Sequence, residues 1–126
     1  MALQQSPPIE QTSERSQRVI SHALVELRRN RWWPFGVRSA VLLDVSAGGF
    51  KIEFTGNTKC VTGEKLLMEI PLGPFGILAP RSLLMNIQIM WFDEARMRCG
   101  GIFVNTNPTT VLFIQKIMEA SKGLSA

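Results

Sequence analysis

Short runs in which apolar and polar residues alternate, separated by clusters of glycine and proline, constrain this chain more than anything else in it. In Phe50-Lys51-Ile52-Glu53-Phe54 every second residue is apolar, and Leu66, Met68 and Ile70 repeat the pattern within Lys65–Pro71. A β-strand points successive side chains to opposite faces, so a period of two predicts strands with one buried face. The same reading predicts a first strand over Val19–Leu27 and a returning strand over Val37–Leu43. Between them Arg28–Gly36, with Asn30, Pro34 and Gly36, carries turn chemistry. A long strand over Arg81–Phe92, with Trp91 and Phe92 expected in the core, and a closing strand over Met97–Val104 follow. Asp93 and Glu94 form a solvated corner between them. Short strands at these intervals predict an all-β domain, a small six-stranded antiparallel β-barrel.

After residue 105 the period changes. Asn107 can cap a helix through its side chain and Pro108 needs no donor in the first turn, so a C-terminal α-helix is expected. Val111, Ile114, Ile117, Met118 and Ser121 then share one face, and Gly123 is expected to end the helix near Lys122. The expected organisation is a mobile tail over 1–13, a barrel over 14–105, and a helix over 106–126 packed on it.

With 45% hydrophobic residues in 126, there is enough apolar surface for one core. No apolar run approaches the roughly 20 residues of a membrane span, and Met1–Glu14 lacks the apolar centre of a signal peptide. A cytoplasmic protein without a membrane span is the expectation. Cys60 and Cys99 have no metal-ligand spacing and read as two buried or half-buried free thiols. The single histidine, His22, falls inside a predicted strand, and no nucleophile elbow, zinc-protease or phosphate-loop pattern occurs. No enzymatic activity and no metal are expected.

Binding is the better-supported class. Net charge is +4, six of the nine arginines precede residue 40, and no acid interrupts residues 27–43, which suits an anionic ligand or a solvated basic hairpin. Asp44-Val45-Ser46-Ala47-Gly48-Gly49 sits between two predicted strands and sets a carboxylate, a hydroxyl and flexible backbone at a sheet end. A carboxylate accepts the N–H donors of a guanine's Watson–Crick edge, and a guanidinium matches guanine O6 and N7 or a phosphate.

These residues resemble a known family, the PilZ domains, small bacterial receptors for cyclic di-GMP. Asp44 to Gly49 fits that family's D/N-x-S-x-x-G motif. Glu14-Arg15-Ser16-Gln17-Arg18 stands where its arginine motif leads into the first strand. Thr62-Gly63-Glu64 and Gly100-Gly101-Ile102-Phe103 are further echoes in order, and the likeness covers roughly residues 14–105. The resemblance implies cyclic di-GMP as ligand, with Asp44 and Ser46 at a guanine, Gly49 allowing close backbone approach, and Arg18 and Arg15 at phosphate or base. The family spacing is R-x-x-x-R, whereas Glu14 stands four residues before Arg18 and Arg15 three before it. The implied function is a receptor that relays second-messenger level to a partner protein, in motility or surface behaviour. The alternative is an adaptor of the same fold that binds a partner protein without the nucleotide.

Arg28, Arg29, Arg31, Trp32 and Trp33 form a second constellation in the first predicted turn. A tryptophan capping the barrel end beside solvated arginines, a partner interface, and nucleic-acid binding all fit it, with nucleic acid the weakest.

Overall fold

The computed structural model describes residues 19–20, 23–30 and 36–125. In chain order the strands are β1 (Val19–Ile20), β2 (Leu24–Arg28), β3 (Arg38–Val45), β4 (Gly49–Phe54), β5 (Lys65–Pro71), β6 (Ser82–Asp93) and β7 (Arg98–Val104), followed by helix α1 (Pro108–Ser125). The expected tail over 1–13, Arg15, Arg18, His22, Arg31, Trp32 and Trp33 lie outside the described residues.

Every pairing is antiparallel. The order β3-β2-β5-β6-β7-β4 closes on itself because β4 also pairs with β3, giving a six-stranded barrel. The predicted first strand is split. β1 and β2 both run along β3, and the step from Ile20 to Leu24 opposes the shorter step from Asp44 to Val41. One extra residue is thus accommodated between the two segments, which sequence periodicity does not register.

The alternation that predicts the strands also fills the barrel. Val25 and Leu27, Leu42 and Val45, Ile52 and Phe54, Met68 and Ile70, and Ile87 and Ile89 point inward and are buried, while Leu24 and Glu26 face out. Each fully buried aliphatic side chain of this kind contributes about 1.5–3 kcal/mol relative to exposure. Phe50 and Phe103 meet with centroids 5.5 Å apart, and Phe54 and Phe92 with centroids 6.3 Å apart.

The β3 strand runs two residues further than its hydropathy suggests, through Asp44 and Val45, so Asp44 is a strand residue and the turn proper is Ser46–Gly49. Val45 is completely buried, which explains the extension: its side chain belongs to the core.

Helix α1 packs on β1, on the short 3-10 turn Gly73–Phe75 and on β6. Ile114, Ile117 and Ser121 are buried as the helical period predicts. Gly123 does not end the helix, which continues to Ser125. The N-terminus is capped as expected, the Thr110 N–H donating to Asn107 Oδ1 at 2.8 Å. Asn107→Ala is expected to lower stability by about 1 kcal/mol, the usual worth of such a cap, measurable as a shift in the urea midpoint at unchanged slope.

Candidate functional site

The Asp44–Gly49 segment is built as a closed hairpin end. Ser46 N–H donates to the Gly49 carbonyl at 2.9 Å, and Gly49 N–H donates to Ser46 Oγ at 3.2 Å. The serine hydroxyl thus takes the place of a backbone acceptor and holds the turn shut. Phe103 N–H donates to the Gly48 carbonyl at 3.1 Å, fastening the turn to β7. Gly49 sits where a Cβ would collide with the carbonyl oxygen of Gly101. Close backbone approach is therefore required at Gly49, and the backbone it approaches is β7 of its own barrel.

Asp44 occupies an irregular position in β3. Leu42 pairs with Ile52 but Asp44 pairs with Lys51, so Leu43 is an extra residue relative to β4. Bulges of this kind re-aim the side chains beside them. Asp44 Oδ2 lies 3.7 Å from Lys51 Nζ, with the carboxylate side chain 15% exposed.

A second bulge lies in β6. Ile89 pairs with Gly101 but Trp91 with Gly100, leaving Met90 as the extra residue. Without it the alternation Ile87, Ile89, Trp91 would bury the indole. With it Trp91 turns outward, 42% exposed, and Phe92 packs against the core instead. The core position expected for Trp91 is thereby corrected. The indole covers Gly100 so closely that a Cβ there would overlap Nε1 and the six-membered ring.

These irregularities produce one lateral row across four strands. Asp44 on β3 pairs with Lys51 on β4, Lys51 with Gly100 on β7, and Gly100 with Trp91 on β6. A carboxylate, an ammonium and a flat indole are thus aligned on the outside of the barrel, with the Ser46 turn at one end. Lys51 and Trp91 are the site residues that sequence reasoning missed. The regular polar position of Lys51 carried a weak signal, but only pairing registers could place Trp91 in the row.

Further along the same strands, a groove of about 780 Å³ opens beside Arg29, Asn30, Lys65, Asn86, Gln88 and Asn105. Its lining contains two cationic residues and no carboxylate. Gln88 and Asn86 face Ile102 and Val104 across the β6–β7 ladder, so the groove continues the face on which Trp91 lies.

Of the second constellation, Arg28 and Arg29 are described. Arg28 is engaged within the domain: its guanidinium pairs with Glu69 and with Glu26, the latter at 3.1 Å, and Ser82 Oγ donates to Glu69 at 2.8 Å. Arg29 is exposed at the groove. Among the described residues no cluster of histidine, cysteine and carboxylate could hold a metal, and no helix is long and apolar enough to cross a membrane.

No family model and no curated protein matches the sequence. Solved structures do match the fold. The PilZ domain with c-di-GMP of YcgR from Escherichia coli superposes with a TM-score of 0.69 at 15% identity, over 88% of this chain and 92% of that one. The PilZ domain of CeSA from a cellulose-synthesizing bacterium gives 0.58 at 16%, over 86% and 98%. The Bacillus subtilis inhibitor of motility, MotI/DgrA, gives 0.61 at 13%, over 86% of this chain and 49% of that longer one. A closed six-stranded barrel with one C-terminal helix, superposing on these domains over most of its length, identifies this chain as having the PilZ-domain fold.

Proposed function

We propose that this domain is a non-catalytic receptor that binds cyclic di-GMP on the outer face of its barrel and passes the signal to a partner protein. The observation that carries this reading is the row Asp44–Lys51–Gly100–Trp91 beside the Ser46 turn. In it, Asp44 would accept guanine N–H donors, Trp91 would offer its plane to a base, and Lys51 would meet a phosphate. The likeness of fold to a PilZ domain solved with c-di-GMP supports the choice of ligand. Arg15 and Arg18, which precede β1 in the sequence, would supply the guanidinium arms.

Isothermal titration of the full chain with cyclic di-GMP tests the proposal. Binding is expected with a Kd of about micromolar or tighter, and Arg18→Ala and Trp91→Ala should each weaken it roughly tenfold or more. Absence of heat at a protein concentration well above that range would sink the receptor reading.

One observation favours a second reading. Glu14 stands at the spacing where an arginine is expected, and a carboxylate there repels a phosphate. In that case the domain is an adaptor that captures its partner without nucleotide. Arg18→Ala and Asp44→Ala would then leave partner capture unchanged, while Trp32→Ala or Trp33→Ala would abolish it in a pull-down.

A further inference from the structure

The two cysteines are far apart in sequence but meet in the fold. Cys99 lies on β7 with its side chain inside the barrel, fully buried. Cys60 lies in the segment between β4 and β5, half-buried and packed against the core. That segment is fastened to β6 by Gly63 N–H donating to the Ile89 carbonyl at 2.6 Å and by Ile89 N–H donating to the Glu64 carbonyl at 2.9 Å. Cys60 packs against the buried core to which Cys99 belongs, and each thiol shifts the ionisation of the other.

A charged group completes the cluster. Arg38, at the start of β3, directs Nη1 to Cys60 Sγ at 3.5 Å. Glu64 grips the same guanidinium at two points, 3.4 Å to Nη1 and 3.1 Å to Nη2, and also accepts from Val61 N–H at 3.2 Å. The arginine is thereby held against the sulfur. Its charge is permanent, and although burial works against it, the Glu64 carboxylate favours the charged form further.

We propose that Cys60 is a peroxide-oxidisable thiol with Cys99 as its resolving partner, the pair closing a disulfide that staples the β4–β5 segment to β7. In the first step the Cys60 thiolate attacks one oxygen of a hydroperoxide. An S–O bond forms, the O–O bond breaks, and the departing oxygen is protonated by solvent, leaving a sulfenic acid on Cys60. The Cys99 sulfur then attacks the Cys60 sulfur. An S–S bond forms, the S–O bond breaks, and the departing hydroxide takes the Cys99 thiol proton to become water. Two thiols lose two electrons and the hydroperoxide gains them.

The electrostatics favour this division of roles. The neighbouring Cys99 thiol and the Arg38 charge lower Cys60 from the ordinary thiol value, against burial and the Glu64 carboxylate. Cys99 is pushed up by its engagement with Cys60 and by burial; Cys60, the half-buried sulfur with the Arg38 guanidinium 3.5 Å away, is the nucleophile. The partial exposure of Cys60 gives the oxidant a way in, while Cys99 is reached only through its neighbour.

The test is mild treatment of the full-length protein with hydrogen peroxide near neutral pH, followed by intact mass and a non-reducing peptide map. The expected product is monomeric, lighter by two hydrogens, with the Cys60 and Cys99 peptides joined and released again by dithiothreitol. Its melting temperature should exceed that of the reduced form. Iodoacetamide should alkylate Cys60 in the reduced protein with a pH midpoint below that of the unfolded chain. Arg38→Gln should slow that reaction near neutral pH about three- to tenfold, and Arg38→Lys should restore most of the rate. Two intact thiols, accumulation of sulfinic acid on Cys60, or disulfides only between molecules would overturn the proposal. So would equal alkylation rates in wild type and folded Arg38→Gln.

Discussion

Gly101→Val is expected to cost about 3–5 kcal/mol and to lower the melting temperature by roughly 10–20 °C. Gly101 lies on β7 between the turn that carries Ser46 and the strand that carries Trp91. A Cβ there would strike the carbonyl oxygen of Gln88, and its next contact would be Phe50 Cζ at 2.9 Å. The first obstacle is backbone in the β6–β7 ladder, so relief requires that ladder to open rather than a side chain to rotate. Gly48 is the matched control: a Cβ there meets nothing within 4 Å, and Gly48→Ala should stay within about 0.5 kcal/mol of wild type. Differential scanning calorimetry of the two variants decides the matter. A Gly101→Val protein that melts with the wild type would mean that the β6–β7 approach is not as close as described.

The second large effect concerns the ligand. Asp44→Asn is expected to weaken cyclic di-GMP binding about tenfold to a hundredfold, the worth of one charge-assisted hydrogen bond lost from a desolvated site. The side chain keeps its shape, so the fold should survive. Its 3.7 Å pairing with Lys51 is partly exposed, and pairs of that kind are worth about 1 kcal/mol at most. Titration calorimetry and a melting curve on the same sample separate the two consequences. Loss of affinity without loss of stability is the expected signature, and undiminished affinity would remove Asp44 from the binding site.

Much of the barrel was legible because its strands report themselves locally. Ile52, Met68 and Ile87 are buried where a period of two puts them, and Ile114 and Ile117 where a helical period does. Departures from regularity were not legible. The extra residues at Leu43 and Met90 exist only relative to partner strands, and they decide where Asp44 and Trp91 end up. Gly123 suggested a stop that the helix ignores, since a single glycine costs about 1 kcal/mol and the packed face of α1 outweighs it.

The candidate site was half legible for a related reason. Asp44, Ser46 and Gly49 are contiguous, and short-range chemistry marks them as a turn. Lys51, Gly100 and Trp91 join them only through cross-strand register. Likewise, Cys60 and Cys99 have no spacing that announces a pair, and only the barrel brings Arg38, Glu64 and the two sulfurs together.

Closure of the barrel by the β3–β4 pairing governs how any partner can dock. Many adaptors recruit a peptide by letting it join an open sheet as one more strand, with backbone hydrogen bonds supplying affinity that depends little on the peptide's sequence. Here no complete strand has a vacant edge among the described residues, and the outermost strand, β1, has only two residues to offer. Among the described residues, then, the barrel offers a partner side chains rather than a strand edge. Side chains read a surface by shape and chemistry, so the described face of this barrel suits selective contact rather than general strand capture.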